Sequence, residues 1–135
     1  MNENDKYIFE LTIKVRDYEV DVEGIVNNAN YLHYLEMTRH EFCEMAGLSF
    51  AKMHEMGWAP VLRKAEIEYI TPLRMGDTMV SKLALQRDGA RFIFIQDIYK
   101  QDSSPVIKAV TTCVCLENGR LSRGDKLAEV FKKYL

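Results

Sequence analysis

One change of hydrophobic period narrows the fold more than any other feature of this chain. From Ala29 to Ala46 the spacing is helical: Tyr31, Leu35, Thr38, Phe42 and Met45 follow steps of four and three and share one face. Asn27 or Asn28 suits the N-cap and Gly47 the stop. Most of the remaining chain reads as strands and turns. Tyr7 to Arg16 alternates, with Ile8, Glu10, Thr12 and Lys14 set against Phe9, Leu11, Ile13 and Val15. Asp17 to Gly24 has no period and reads as a loop. Ser49 to Met56 is a second short helix ended by Gly57.

Beyond that helix, Trp58 to Arg63 is extended around Pro60, Ala65 to Tyr69 alternates, and Pro72 with Gly76-Asp77 turns the chain. Thr78 to Arg87 and Arg91 to Lys100 are strands joined at Asp88-Gly89, a hairpin signal. Ser103-Ser104-Pro105 leads into Val106 to Glu117, and Asn118-Gly119 turns again. Asp125 is expected to cap a last helix over Lys126 to Tyr134. One amphipathic helix facing an antiparallel meander is an α+β, two-layer arrangement.

Length and charge bound what such a fold can do. With 135 residues and no linker or repeat, residues 1–135 read as one domain. A net charge of -2 argues against nucleic acid and anionic membrane surfaces as partners, while leaving room for a local basic pocket. Met1 to Lys6 is polar, unlike a secretory leader, and no apolar run approaches the roughly 20 residues of a membrane span. Three cysteines, Cys43, Cys113 and Cys115, form no disulfide framework, so the reading is a reducing cytoplasm with free thiols. Cys113 and Cys115 point to one face of a strand as small core residues.

Chemistry concentrates between Asp21 and Tyr31. A carboxylate ends a loop, Gly24 follows three residues later, and a helix starts soon after. Gly24 permits a sharp turn and a close ligand approach. The first helical N–H groups lack intrahelical acceptors and carry roughly half a positive charge. They suit a carbonyl oxygen that becomes negative under attack. Asp21 suits the activation of water, or direct attack. The competing reading is an aspartate that only caps its own turn.

The segment Val15-Arg16 … Asp21-x-x-Gly24-Ile-Val-Asn-Asn-Ala-Asn-Tyr31-Leu-x-Tyr34-Leu-Glu36-x-x-Arg39 resembles the signature of the 4-hydroxybenzoyl-CoA thioesterase family, which includes the Tol-Pal-associated acyl-CoA thioesterases. A second block, Glu66-Ile-Glu-Tyr69-Ile-x-Pro72-Leu-x-x-Gly76-Asp77, matches in the expected order. The resemblance implies a hotdog fold: a long central helix wrapped by a curved antiparallel sheet of about five to six strands. It implies hydrolysis of an acyl-CoA thioester to a carboxylic acid and free CoA, with no cofactor apart from the CoA of the substrate. It also implies a homodimer or homotetramer with the active sites at the dimer interface. Asp21 becomes general base or nucleophile, the backbone N–H of Asn28 the oxyanion donor, Gly24 part of the catalytic loop, and Tyr31 a substrate contact. Some members carry histidine where this chain has Asn28, and asparagine cannot shuttle a proton near neutral pH. The acid–base work then falls to Asp21 alone. An acyl-carrier-protein thioesterase and a non-catalytic acyl-CoA-binding domain are the rival readings. A dehydratase is disfavoured, because no histidine stands beside the helix start.

Arg87 and Arg91 flank the Asp88-Gly89-Ala90 turn and are expected near the nucleotide phosphates of CoA, with Arg63, Lys64 and Lys82 as weaker candidates. Their alternative is charge on a solvated hairpin. His33, Glu36 and His40 share a helix face opposite the apolar stripe and read as solvated scaffold, not as a metal site. Glu36 is expected to pair with Arg39 or a neighbouring strand. Met53, Met56, Trp58 and Met75 suit either an acyl pocket or the core.

Overall fold

The computed structural model describes residues 6–135; Met1 to Asp5, on which most of the polar-start reading rests, lie outside the described residues. The elements run β1 (Phe9–Lys14), α1 (Asn28–Met45), α2 (Phe50–Glu55), β2 (Trp58–Tyr69), β3 (Thr78–Asp88), β4 (Arg91–Lys100), β5 (Pro105–Glu117), β6 (Arg120–Leu121) and α3 (Asp125–Val130). The sheet is antiparallel throughout, in the order β1-β3-β4-β5-β2, with the short β6 added to β5.

The sheet curls around α1. Tyr31, Leu35, Thr38 and Phe42 are buried as their spacing requires, and Tyr34, Arg39 and Cys43 are buried beside them. Tyr34 and Cys43 lie about 180° apart around the helix at 100° per residue. Half the circumference is therefore covered, which a flat sheet could not do. Met45 departs from the expected stripe and is 46% exposed. Its angle is right but it sits in the last turn, where the Tyr134 hydroxyl reaches its sulfur at 3.3 Å. Asn27 is the N-cap, its side chain accepting the Ala29 N–H at 3.0 Å. Gly47, at φ 93°, takes the left-handed conformation that ends the run.

Two apolar clusters fill the space between helix and sheet. One joins Phe42, Cys43, Met53, Phe92, Phe94 and Phe131, and the other joins Val26, Tyr31, Tyr34, Leu35, Leu73 and Ile98. Cys113 and Cys115 face the first cluster as free thiols. A polar seam crosses this otherwise apolar interface. The Thr38 and Ser81 hydroxyls lie 2.8 Å apart. Gln96 Oε1 accepts from Arg39 Nη1 at 3.0 Å and from Thr111 Oγ1 at 2.7 Å, while Gln96 Nε2 donates to the Leu35 carbonyl at 2.9 Å.

Three local readings are corrected. The extended pieces before and after Arg63 are one strand, because a bulge between Leu62 and Lys64 leaves Arg63 as the extra residue. Leu62 stands opposite Cys113 and Lys64 opposite Thr112, so Ala65 and Ile67 turn inward while Lys64, Glu66 and Glu68 turn outward. Asp125 is not a cap: Gly124, at φ 78°, holds that place, and Asp125 is the first helical residue, its carboxylate taken by Arg87 at 2.6 Å. Glu36 does not reach Arg39. It pairs with His40 at 3.6 Å, and the His40 ring stacks on Phe50 at 3.7 Å. Among the described residues no helix is long and apolar enough to cross a membrane.

Candidate active site

The loop before α1 is built as a tight, self-bonded turn. The Gly24 N–H donates to the Asp21 carbonyl at 3.0 Å, the Asp21 N–H to the Ile25 carbonyl at 2.9 Å, and the Glu23 N–H to Asp21 Oδ1 at 2.9 Å. Gly24 takes φ 79°, a conformation that costs a residue with a Cβ but not glycine. A strand-like bridge between Val20 and Val26 closes the turn, and a second between Ile25 and Arg74 fastens it to the body. Asp21 thus does cap its own turn. Its second carboxylate oxygen, at an exposed site, has no partner among the described residues.

The start of α1 stands beside this turn. The Asn27 side chain takes the Ala29 N–H, and the Asn27 carbonyl takes the Asn30 N–H at 2.9 Å. Asn28, first in the helix, has no intrahelical acceptor for its N–H and finds none among the described residues. Asn28 lines a cleft of about 240 Å³ together with Ile25, Val26, Tyr31, Tyr69 and Pro72. Tyr31 is buried, and its hydroxyl accepts the Leu73 N–H at 3.1 Å, fixing the 73–74 segment that in turn holds Val26 and Ile25. Burial pushes the Tyr31 hydroxyl pKa up, against a smaller lowering by that N–H. Tyr34 lies one turn on. Its hydroxyl is sealed from solvent and completes no hydrogen bond among the described residues, and burial, then the nearby Glu19 carboxylate, raise its pKa.

Tyr69 was not singled out by residue-level reasoning. It is half exposed at the end of β2, its hydroxyl 3.5 Å from the Asn28 carbonyl and its ring edge-on to Tyr31 at 5.4 Å. The signal was present in the second motif block, which contains it.

The basic residues split. Arg87 is held by the Gly89 carbonyl at 2.9 Å, the Arg123 carbonyl at 3.0 Å and Asp125. Arg91 is exposed and has no ion pair among the described residues; with Arg63 and Lys64 it lines a groove on the outer face of the sheet, where Lys64 pairs with Glu66 at 3.0 Å. Lys82 lies over the rings of Tyr7 and Tyr99. Met53 is fully buried, Trp58 half-buried, and Met56 and Met75 exposed, so Met53 and Trp58 pack against the core. Among the described residues no three His, Cys, Asp or Glu side chains gather as a metal site.

With helix, turn and cleft assembled, the similarity to known proteins is informative. Residues 15–135 match the model of the thioesterase-like superfamily. The chain belongs to that superfamily. It is 36% identical over 111 residues to a chloroplastic acyl-acyl carrier protein thioesterase of Arabidopsis thaliana, a match covering 81% of this chain and 58% of that protein. The chain thus spans less than two thirds of that plant relative. It is 35% identical over 107 residues to the long-chain acyl-CoA thioesterase FadM of Escherichia coli strain K12, covering 78% of this chain and 80% of FadM. The crystal structure of a hypothetical protein from Aquifex aeolicus superimposes with a TM-score of 0.85 at 35% identity, covering 90% of this chain and 98% of that one. The family and the wrapped-helix hotdog fold read from the two motif blocks are thereby both shown.

Proposed function

We propose that this protein hydrolyses acyl-CoA thioesters, with the Asn28 N–H receiving the thioester oxygen and Asp21 delivering the attack. The observation that carries the reading is the unpartnered Asn28 N–H, opening an 18-residue helix at the wall of a cleft, with a fixed aspartate turn just before it. A carbonyl oxygen seated there gains hydrogen bonding and helix-end potential as charge develops on it. Tyr31 acts through the 73–74 segment that it anchors, and Gly24 by letting the turn close. Asp21 serves either as general base toward water or as nucleophile; both use its free oxygen. FadM's activity on long-chain acyl-CoA supports the CoA reading. Arg91, exposed at the β3–β4 hairpin, is the better placed of the two arginines for the nucleotide phosphates, because Arg87 is already held within the chain. Three unbridged cysteines suit work in a reducing cytoplasm.

Two copies join through β2. This 12-residue strand ends the sheet, its outer backbone edge is unpaired among the described residues, and it carries exposed Val61, Leu62 and Tyr69. The fully exposed Val22 and largely exposed Tyr18 of the loop before α1 are further apolar surface that a second copy could cover. Light scattering that finds only monomer at micromolar concentration removes this part of the proposal.

The test of the chemistry is Asp21→Asn. We expect unchanged circular dichroism and loss of CoA release by about 10²–10⁴-fold, the usual worth of a positioned acid–base group. Full turnover by the variant on every acyl-CoA that the parent hydrolyses overturns the assignment. The plant relative acts on acyl-carrier-protein thioesters. Comparing one acyl group on CoA and on carrier protein separates the two carriers.

A further inference from the structure

The polar seam holds a cation without a counter-ion. Arg39 is 8% exposed, and its one hydrogen bond among the described residues runs from Nη1 to the neutral Gln96 amide oxygen. That oxygen is filled, since it also accepts from Thr111. Among the described residues no carboxylate lies within ion-pair distance of Arg39. The adjacent thiols do not supply the charge: burial, and then the neighbouring Cys113, push Cys43 up to about 12, and burial raises Cys113 as well. A guanidinium buried with so few partners is costly unless something completes it.

What remains free is the side-on pair, Nε and Nη2. Neither has a partner among the described residues, yet neither is sealed in. Both belong to a residue lining a cavity of about 20 Å³ whose other walls include Cys43, Met53, Phe94, Cys113 and Phe131. That is room for one or two water-sized groups. Two parallel N–H donors match the two oxygens of a carboxylate. Half-buried Phe50 and Pro60 also line the cavity, which places its mouth between α2 and the N-terminal end of β2.

We propose that the cavity at Arg39 is a distal acyl subsite that selects thioesters whose acyl group ends in a carboxylate. The proposal rests on the thioesterase reading and on pairing through β2. Antiparallel pairing of two β2 edges brings the N-terminal end of one strand, where the cavity opens, to the C-terminal end of the other. The cleft beside the helix start lies at that C-terminal end, through Tyr69. An acyl group attacked in one copy then extends toward the Arg39 cavity of the other. Its two carboxylate oxygens fill the small cavity at Arg39, while its methylenes stay outside, against Phe50 and Pro60 at the mouth.

The experiment uses the full chain and measures CoA release from hexanoyl-, octanoyl- and decanoyl-CoA, each against its ω-carboxy counterpart. At one length we expect kcat/KM for the carboxylate-ended chain to exceed the methyl-ended one by tenfold or more, because a site built for hydrogen bonds rejects a ligand that leaves them unmade. Arg39→Met is expected to abolish or invert that preference. Arg39→Lys, which keeps charge but loses the side-on fork, is expected to keep only part of it, and decides the matter if the methionine variant does not fold. Preference for the methyl-ended chain at every length, or a ratio unchanged in both variants, overturns the subsite and leaves a hydrated arginine. No CoA release from any substrate overturns the thioesterase reading itself, and the subsite with it.

Discussion

Replacing Gln96 by leucine tests whether the polar seam holds the helix to the sheet. From β4 the amide ties together α1 and β5, taking hydrogen bonds from Arg39 on α1 and Thr111 on β5 and donating one to the Leu35 carbonyl of α1. Leucine fills similar space and does none of this. The Leu35 carbonyl keeps its helical partner, so the cost falls on Arg39 and Thr111. A buried donor stranded beside an apolar group costs about 1–3 kcal/mol, and more when charged. Together they give a loss of about 3–5 kcal/mol, comparable to breaking a buried ion pair from one side. At roughly 2.1 cal/mol/K per residue of unfolding entropy, that lowers Tm by about 10–18 °C for this length of chain. Urea unfolding followed by circular dichroism, at one fixed protomer concentration, measures it. The double variant Arg39→Met, Gln96→Leu sharpens the test. Removing donor and acceptor together leaves no stranded charge, so we expect it to be more stable than Gln96→Leu alone by about 2 kcal/mol or more. A single-variant loss below about 1 kcal/mol, or additive losses in the pair, refutes the argument.

Asn27→Ala removes the cap on the Ala29 N–H and is expected to cost about 1 kcal/mol. It also loosens the backbone at Asn28, so CoA release falls in the same protein; full activity would show that this helix end need not be fixed. Stability is expected to decline on the alkaline side. Burial raises the Cys43 thiol from its ordinary 9.0 to about 12, and raises Cys113 and Cys115 in the same direction. Between those values the unfolded chain loses protons that the folded chain keeps. The stabilisation is thus complete below pH 9 and is lost as pH climbs toward 12. The urea midpoint should fall from pH 8 to pH 10, with a shallower fall in Cys43→Ala; a flat or rising midpoint contradicts the burial assigned to these thiols.

Much of the fold was legible because its signals are local. The steps from Tyr31 to Phe42, the Asn27 cap and Gly47 stop, and the Asp88-Gly89 hairpin each depend on residues within a turn or two of one another. Arg39 was illegible for the opposite reason. A charge on a helix ordinarily reads as solvated, and its partner Gln96 stands 57 residues away on β4. Proximity in sequence offered Glu36 either Arg39 or a neighbouring strand, but the buried arc of α1 claims Arg39 and leaves Glu36 outside with His40. The break in alternation at Arg63 was visible as two short extended runs, and only the register against β5 shows one strand with a surplus residue. At the candidate site, Asp21, Gly24 and Asn28 were expected from helix-end physics and from the motif, and they stand together at the start of α1. Tyr69 was hidden because half-exposed strand tyrosines are common, and its approach to the Asn28 carbonyl is tertiary.

That surplus residue bears on the safety of the β2 edge before a second copy covers it. A straight edge offers every passing chain a continuous row of donors and acceptors, which is how sheets come to recruit strangers and aggregate. With Arg63 inserted, the two halves of β2 fall out of step. A regular foreign strand can bond with Trp58–Leu62 or with Lys64–Tyr69, but it cannot keep register across both. Deleting Arg63 would leave Leu62 and Lys64 facing their present partners and the inner face unchanged, while giving the outer row an unbroken rhythm. Such a variant should fold and lose discretion, gaining a tendency to pair indiscriminately and precipitate.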